Sequence, residues 1–309
     1  MKKISKICLL VFLAAGILFV GCGHKKARTF GFTSMRISNP FFALIEQTIR
    51  DEVEKNGDKL ISLDPDMDAQ KQNSQIEEMI AQKIDAIFIN PVDWEAIKPA
   101  LVSLNQARIP VINYDAEVRD MDLVTAYVGS DNRNAGYICG LDLVKRFPNG
   151  GPIAVFDSPS MRSLRDRIDG FKEAIEGKGF TIVFLADALG NSIDGRRHTE
   201  RMLKSNIRVI AIMGGNDPTA LGVLEACQAA NRTNILIYGV DGSPLAKAEI
   251  AKRGQFAGSG AQSPINIAKT SVEIAYKILN KQPYEKNVPV KTFMINQDNI
   301  DEYDIDSWQ

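Results

Sequence analysis

Eight side chains stand out for what they could do together, and none of them is a nucleophile. Asp115 and Asp241 are acceptors only when ionised, and each carboxylate can take hydrogen bonds from two neighbouring hydroxyls. Arg165 is a forked donor. Asn39, Asn216 and Gln262 offer donor and acceptor together, and Phe41 and Phe42 present flat apolar faces. A neutral molecule with many hydroxyls and an apolar C–H face satisfies all of these groups, and a sugar has that surface. An acidic or phosphorylated ligand would meet two carboxylates against one arginine and be repelled. Taken singly, each residue has a plainer reading. Asp115, Asn216 and Asp241 stand where helix N-caps and turns stand. Phe41 and Phe42 at a helix start read as core, and Arg165 reads as a solvated helix residue. The sugar reading rests on their all falling at the ends of expected strands.

Short apolar runs that alternate with longer amphipathic ones must position these groups. Strands are expected at 29–33, 59–63, 86–90, 111–114, 123–129, 152–156, 181–185, 209–213, 235–240, 256–260 and 290–295. Most are rich in Val, Ile and Phe, as parallel strands covered on both faces are. Helical periods fill 41–55, 69–82, 94–106, 132–146, 164–177, 195–205, 218–229 and 265–279; Ile76, Met79, Ile80 and Ile84 recur at steps of three and four. Strand–helix alternation with short loops specifies an α/β fold with parallel sheets. Ligands of such sheets bind beyond the carboxyl ends of the strands. Those ends carry 34–42, Asp115, the arginine-rich 157–167 (Arg162, Arg165 and Arg167), Asn191, 214–217, 241–242 and Gln262. So many strands suit two lobes better than one sheet, and so does a length beyond what a single core organises. The turn Asn149-Gly150-Gly151-Pro152 separates the halves in sequence.

The N-terminus reads as an address. Lys2, Lys3 and Lys6 precede an uncharged apolar run over 7–20, too short to span a membrane and suited to a secretory signal. Phe19-Val20-Gly21-Cys22 is similar to a bacterial lipoprotein signal, with Cys22 lipidated as the new N-terminus. Phe19 stands where a leucine is usual, and an ordinary cleaved signal or an uncleaved anchor also fits. All three readings export the remainder. Lys and Arg number 37 against 38 Asp and Glu, a net charge of -1 that offers nucleic acid no footprint. Cys139 and Cys227 lie in apolar helical stretches and are expected as buried free thiols. With two histidines and no CxxC, neither a metal site nor a cofactor is expected. The first strand ends in Thr33-Ser34-Met35-Arg36 rather than a glycine-rich phosphate loop, and there is no P-loop or G-x-S-x-G, so catalysis is not expected.

From residue 29 to the C-terminus the chain resembles the periplasmic ribose/galactose-type sugar-binding proteins of ABC importers, which share their core with lactose-repressor-type regulators. The resemblance is carried, in order, by Asn39-Pro40-Phe41-Phe42, Ile89-Asn90-Pro91, Ile109-Pro110-Val111-Ile112 leading to Asp115, and Gly129-Ser130-Asp131-Asn132. It continues through Arg165-Asp166-Arg167-Ile168-Asp169-Gly170-Phe171, Asn216-Asp217 with Ala220-Leu221-Gly222, Gly239-Val240-Asp241-Gly242 and Ala261-Gln262. It implies two Rossmann-like lobes with parallel sheets joined by a three-stranded hinge, the periplasmic binding protein type I fold. After a signal peptide at 1–22 and a tether at 23–28, one lobe would take 29–130 plus 263–290 and the other 131–262 plus 291–309. The hinge would lie near Ser130-Asp131, Gln262-Ser263 and 289–291. The resemblance gives Asn39, Phe41 and Phe42 to the sugar's flank and its hydroxyls to Asp115, Arg165, Asn216, Asp241 and Gln262. It departs at Ala116, where ribose binders often carry arginine, and at Leu189-Gly190-Asn191, where an aromatic ring is usual. A monosaccharide or polyol is therefore expected, with ribose itself in doubt. The implied partner is a membrane permease; a chemoreceptor or sensor kinase is the competing reader of the same closed form. A repressor role is excluded by the export signal, and a monomer is expected.

Overall fold

The computed structural model describes residues 27–159 and 161–309. The expected signal peptide, Cys22 and most of the tether lie outside the described residues. The first half runs β1 (Thr29–Thr33), α1 (Pro40–Lys55), β2 (Lys59–Leu63), α2 (Ala69–Ala81), β3 (Ala86–Ile89), α3 (Lys98–Gln106), β4 (Val111–Tyr114) and β5 (Ala126–Ser130). The second runs α4 (Asn132–Arg146), β6 (Gly151–Asp157), α5 (Arg162–Ile175), β7 (Phe180–Asp187), α6 (Ser192–Lys204), β8 (Ala211–Gly214), α7 (Asp217–Ala229), β9 (Leu236–Asp241), α8 (Pro244–Ala251) and β10 (Phe256–Ala261). Helix α9 (Pro264–Leu279) and strands β11 (Asn287–Val290) and β12 (Phe293–Asn296) complete the order.

Two six-stranded sheets result, ordered β11-β5-β4-β3-β1-β2 and β12-β10-β9-β8-β6-β7. Among the described residues every pairing is parallel except that of β12 with β10. Alternation along each strand divides the cores. Phe30, Phe32, Ile112 and Val128 face α1 and α9, meeting Ile45, Ile49, Ile267 and Val272. Ile87, Ile89 and Val111 face α2 and α3, meeting Ile76, Met79, Leu101 and Leu104. In the second sheet Phe156, Ile212 and Ile237 pack on α6, α7 and α8, and Ile153, Val155 and Met213 on α4 and α5. Strands buried on both faces have no polar side to show, which is why they read as continuous apolar runs. Each such buried side chain contributes about 1.5–3 kcal/mol. Cys139 and Cys227 are buried free thiols.

The structure revises four expected elements. The run at 290–295 is not one strand: Lys291 and Thr292 break it, and β11 and β12 join different sheets. The strand expected at 123–129 begins only at Ala126, because 121–123 forms a 3-10 turn. The helix expected from 94 begins at Lys98. Helix α8 was not expected at all, although its N-cap Ser243 and Pro244 at the first position form a recognisable start signal.

The chain passes between the sheets three times: from β5 to α4, from β10 to α9, and from β11 to β12. The first and third crossings are laced together. Asp131 N donates to Val290 O (3.1 Å), Thr292 Oγ1 to Asp131 O (3.3 Å) and Asn134 Nδ2 to Thr292 Oγ1 (2.9 Å). Helices α4 and α5 cross at glycines. A Cβ on Gly136 would lie 1.7 Å from the Arg167 carbonyl oxygen, and one on Gly170 would lie 1.9 Å from that of Arg133. That close approach fixes where α5 presents its side chains.

Candidate functional site

The carboxyl ends of both sheets point into the space between the lobes, and the polar groups gather there. From the first sheet comes Asp115, directly after β4. Its backbone is left-handed (φ 59°), held by its own N–H donating to Val128 O (2.9 Å) and by the Tyr127 hydroxyl donating to its carbonyl (2.6 Å). Asn113 fixes the following loop, donating to Ala116 O (2.8 Å) and accepting from Val118 N (3.1 Å). Asn90, fully buried at the end of β3, donates to the Asp115 carboxylate (3.1 Å) and to Tyr114 O (3.2 Å); its own Oδ1 has no partner.

From the second sheet comes Asp241, the last residue of β9, also with positive φ (143°). Positive φ at a non-glycine residue costs energy and persists where the surroundings over-determine it, commonly at binding sites. The Asp241 carboxylate accepts from Arg167 Nη1 (3.1 Å), Gln262 Nε2 (2.8 Å) and Asp217 N (3.4 Å). Arg167 is buried and also donates to Asn132 Oδ1 (2.8 Å) and Gly215 O (3.2 Å). Gln262 is buried, with its Oε1 unpaired. Asp217, fully buried, accepts from Ser243 and Ser259.

One guanidinium thus serves a cluster of carboxylates. Burial pushes the Asp115 carboxyl up to about 6, against the pull of Arg167, with Asp241 adding to the rise and Asn90 opposing it. Asp217 is pushed up to about 7 by burial and by the Asp241 charge. Burial also raises Asp241, while Arg167 and Gln262 hold it down. Asp115 and Asp241 come from opposite lobes, and those lobes stand close. An ion pair between Glu117, after β4, and Arg162, at the start of α5, joins them directly.

The eight expected residues fare differently. Asp115, Asp241 and Gln262 come together as described. Phe41 and Phe42 are nearly buried at the start of α1, edge to face at 5.4 Å between ring centroids. Asn39 and Asn216 act as helix caps. Asn39 Oδ1 accepts from Phe41 N (2.9 Å); Asn216 Oδ1 accepts from Thr219 N (3.0 Å) while its Nδ2 donates to Gly190 O (2.8 Å). Ser243, not Asp241, caps the helix after β9.

Arg165 does not join the cluster. Its side chain is exposed on α5, and Arg167, two residues on, takes the buried place. The signal was present: Leu164, Ile168, Phe171, Ala174 and Ile175 form the buried apolar face of this helix, and at about 100° per residue Arg167 falls about 55° from its centre while Arg165 falls about 105° away. Sequence reasoning also missed Asn90, Asn132 and Asp217 as members of the cluster, although each stood within a motif it had singled out.

Two α/β lobes with charges converging between their strand ends define a solute-binding class of protein. A family model described as a periplasmic binding protein domain matches residues 30–283. A ribose import binding protein of Bacillus subtilis is 32% identical over 267 residues, covering 86% of each chain. That of Salmonella typhimurium is 28% identical, covering 94% of this chain and 97% of its own. A solved ABC transporter solute-binding protein from Bacillus halodurans, with bound myo-inositol, superposes with a TM-score of 0.83 at 25% identity, over 91% of this chain and 98% of that one. The chain belongs to the periplasmic binding protein family and has its type I fold of two parallel-sheet lobes.

Proposed function

We propose that this protein is the substrate-binding lipoprotein of a sugar ABC importer, and that it holds a monosaccharide or polyol between its lobes. The observation that carries the reading is buried Arg167 donating to Asp241 in one lobe and Asn90 donating to Asp115 in the other, each aspartate on a positive-φ backbone at the carboxyl end of its strand. Asp115 and Asp241 would accept from sugar hydroxyls, Arg167 would donate to ring or hydroxyl oxygens, and the unpaired Asn90 Oδ1 and Gln262 Oε1 would take further hydroxyl protons. Phe41 would cover the C–H face. Asn39 and Asn216 would contribute chiefly by fixing the starts of α1 and α7. Two carboxylates and one guanidinium disfavour an anionic ligand.

The relatives' names support this class. They include ribose import proteins, a D-ribose/D-allose-binding protein of Pseudomonas aeruginosa and the myo-inositol complex described above. They favour import over a sensory role. Ala116 and the ring-free loop at Leu189-Gly190-Asn191 point away from ribose and toward a bulkier or differently shaped polyol. The partner on this reading is a membrane permease that recognises the closed form. Catalysis, a cofactor and nucleic-acid binding form no part of the reading, and the protein acts as a monomer. The lobes divide as 29–130 plus 263–290 and 131–262 plus 291–309. Export through the N-terminal signal and anchoring through lipidated Cys22 complete it.

A thermal-shift screen with D-ribose, D-allose, myo-inositol and glycerol tests the reading. A ligand at about 100 times its dissociation constant adds about 2.7 kcal/mol of stability, a plainly visible shift. If pentoses, hexoses and polyols all leave the melting temperature unmoved at millimolar levels, the sugar reading is wrong.

A further inference from the structure

The sheets end at Asn296, yet the chain runs on to Gln309, and that tail is built rather than loose. Tyr303 stacks on Phe293 at 5.8 Å with the rings 16° apart. Lys247, on α8 of the second lobe, is fully buried and gives its ammonium to the carbonyls of Asp304 and Ser307. A buried ammonium needs such partners, and here the tail supplies them. Gln309 Nε2 folds back onto Asp304 O (3.2 Å), and Ser307 Oγ donates to Asp304 Oδ2 (2.9 Å). The end of the tail then leaves the second lobe. Trp308 packs against the core of the first lobe and meets the Phe41 ring edge-on at 5.4 Å and 74°. The Gln309 carbonyl accepts from Ser263 Oγ (2.7 Å), beside the second crossing.

We propose that residues 303–309 form a strap between the lobes, and that Trp308 is a positioning residue for Phe41. The three chain crossings are covalent and persist whatever the lobes do. The Trp308–Phe41 contact is the opposite: it can part when the cleft opens and reform when it shuts. Its position matters because Phe41 is the ring assigned to the sugar's C–H face, an assignment on which this inference rests. The strap joins α8, which follows Asp241, to α1, which begins with Phe41. The two sides of the proposed pocket are thereby tied together from outside it, and part of the closing force comes from a contact the ligand does not touch.

The test uses the full-length protein. By calorimetry, with whichever of D-ribose, D-allose and myo-inositol binds most tightly, Trp308→Ala should weaken binding about tenfold and Trp308→Phe should restore it to within about threefold. In Trp94→Phe protein, where Trp308 is the sole tryptophan, the same sugar should change the emission. Independently of any ligand, nitroxide labels at Lys71→Cys and Ile193→Cys, one on each lobe, should report longer distances in the Trp308→Ala background. Wild-type affinity in Trp308→Ala, silent emission on a binding event seen by calorimetry, or an unchanged distance distribution would each overturn the strap. If none of the three sugars binds the wild type, the site assignment fails, and the distance measurement still decides the strap.

Discussion

Replacing Arg167 and Arg165 by alanine, one at a time, separates the site from its surroundings. Arg167 donates to three protected acceptors, Asp241 at 3.1 Å, Gly215 O at 3.2 Å and Asn132 at 2.8 Å, and is the cation nearest the acidic cluster. Cutting one partner from a buried ion pair costs about 3–5 kcal/mol, since the remaining charge stays desolvated. Asp241 has an escape. Burial already favours its protonated form, so Arg167→Ala should lose most stability above neutral pH and recover part of it in mild acid. Sugar affinity should fall by about 2–5 kcal/mol, because a charged donor is lost while its ligand partner remains desolvated. Arg167→Lys keeps the charge without the fork and should fall between. Arg165 is exposed, so Arg165→Ala should change stability by no more than about 0.5 kcal/mol and leave affinity within about twofold. Denaturant melts at two pH values with calorimetric titrations settle the matter. Equal losses from the two variants, or a larger loss from Arg165→Ala, would refute the placement of Arg167 at the centre of the site.

Acid should move binding and stability in opposite directions. The folded protein holds protons on Asp115 up to about 6 and on Asp217 up to about 7, against 3.8 for the free side chain. The penalty of keeping them charged is therefore full above about pH 7 and relieved as the pH falls toward 4, so the ligand-free melting temperature should rise over that window. Affinity should decline below about pH 6, as protonation removes the Asp115 charge and turns one of its oxygens into a donor; a flat or rising affinity across that range would contradict its role. Glu117→Gln removes the ion pair with Arg162 and should cost binding no more than about 1 kcal/mol, a difference that shrinks in high salt because Arg162 is half exposed. Cys22→Ser should release the protein from the membrane fraction, and retention there would favour an uncleaved anchor.

The sheets were legible in the sequence because strands covered on both faces cannot hide their composition; 111–114 and 132–146 were read with the bounds the structure has. The misread places are those where a local pattern is ambiguous until a partner is known. Residues 290–295 pass for one strand with a polar pair, Lys291-Thr292, near its start, yet only the presence of two sheets tells that the chain must break at that pair. Helix α8 is eight residues long, too short for a period to declare itself, so its cap signal was the sole clue. In the site, residue type was readable and side-chain direction was not. Two arginines two positions apart differ by more than half a turn of helix, and the choice between them needed the buried stripe of α5. The same limit applied to Asn39 and Asn216, whose capping role and proposed ligand role call for one residue type at one position. Nothing in the type or spacing of Trp308 placed it on Phe41, since that contact spans almost the whole chain.

The last strands have a consequence for how the molecule is made. β11 closes the edge of one sheet and β12 the edge of the other, while α9 covers the first lobe's Phe30 and Ile112. All three lie at the end of the chain. A polypeptide synthesised from its N-terminus therefore cannot finish either lobe until its last few dozen residues are out, and until then β5 and β10 stay unpaired along one side. Two lobes that wait on the same segment should be completed together, so probes on β5 and β10 should gain protection in one late refolding phase.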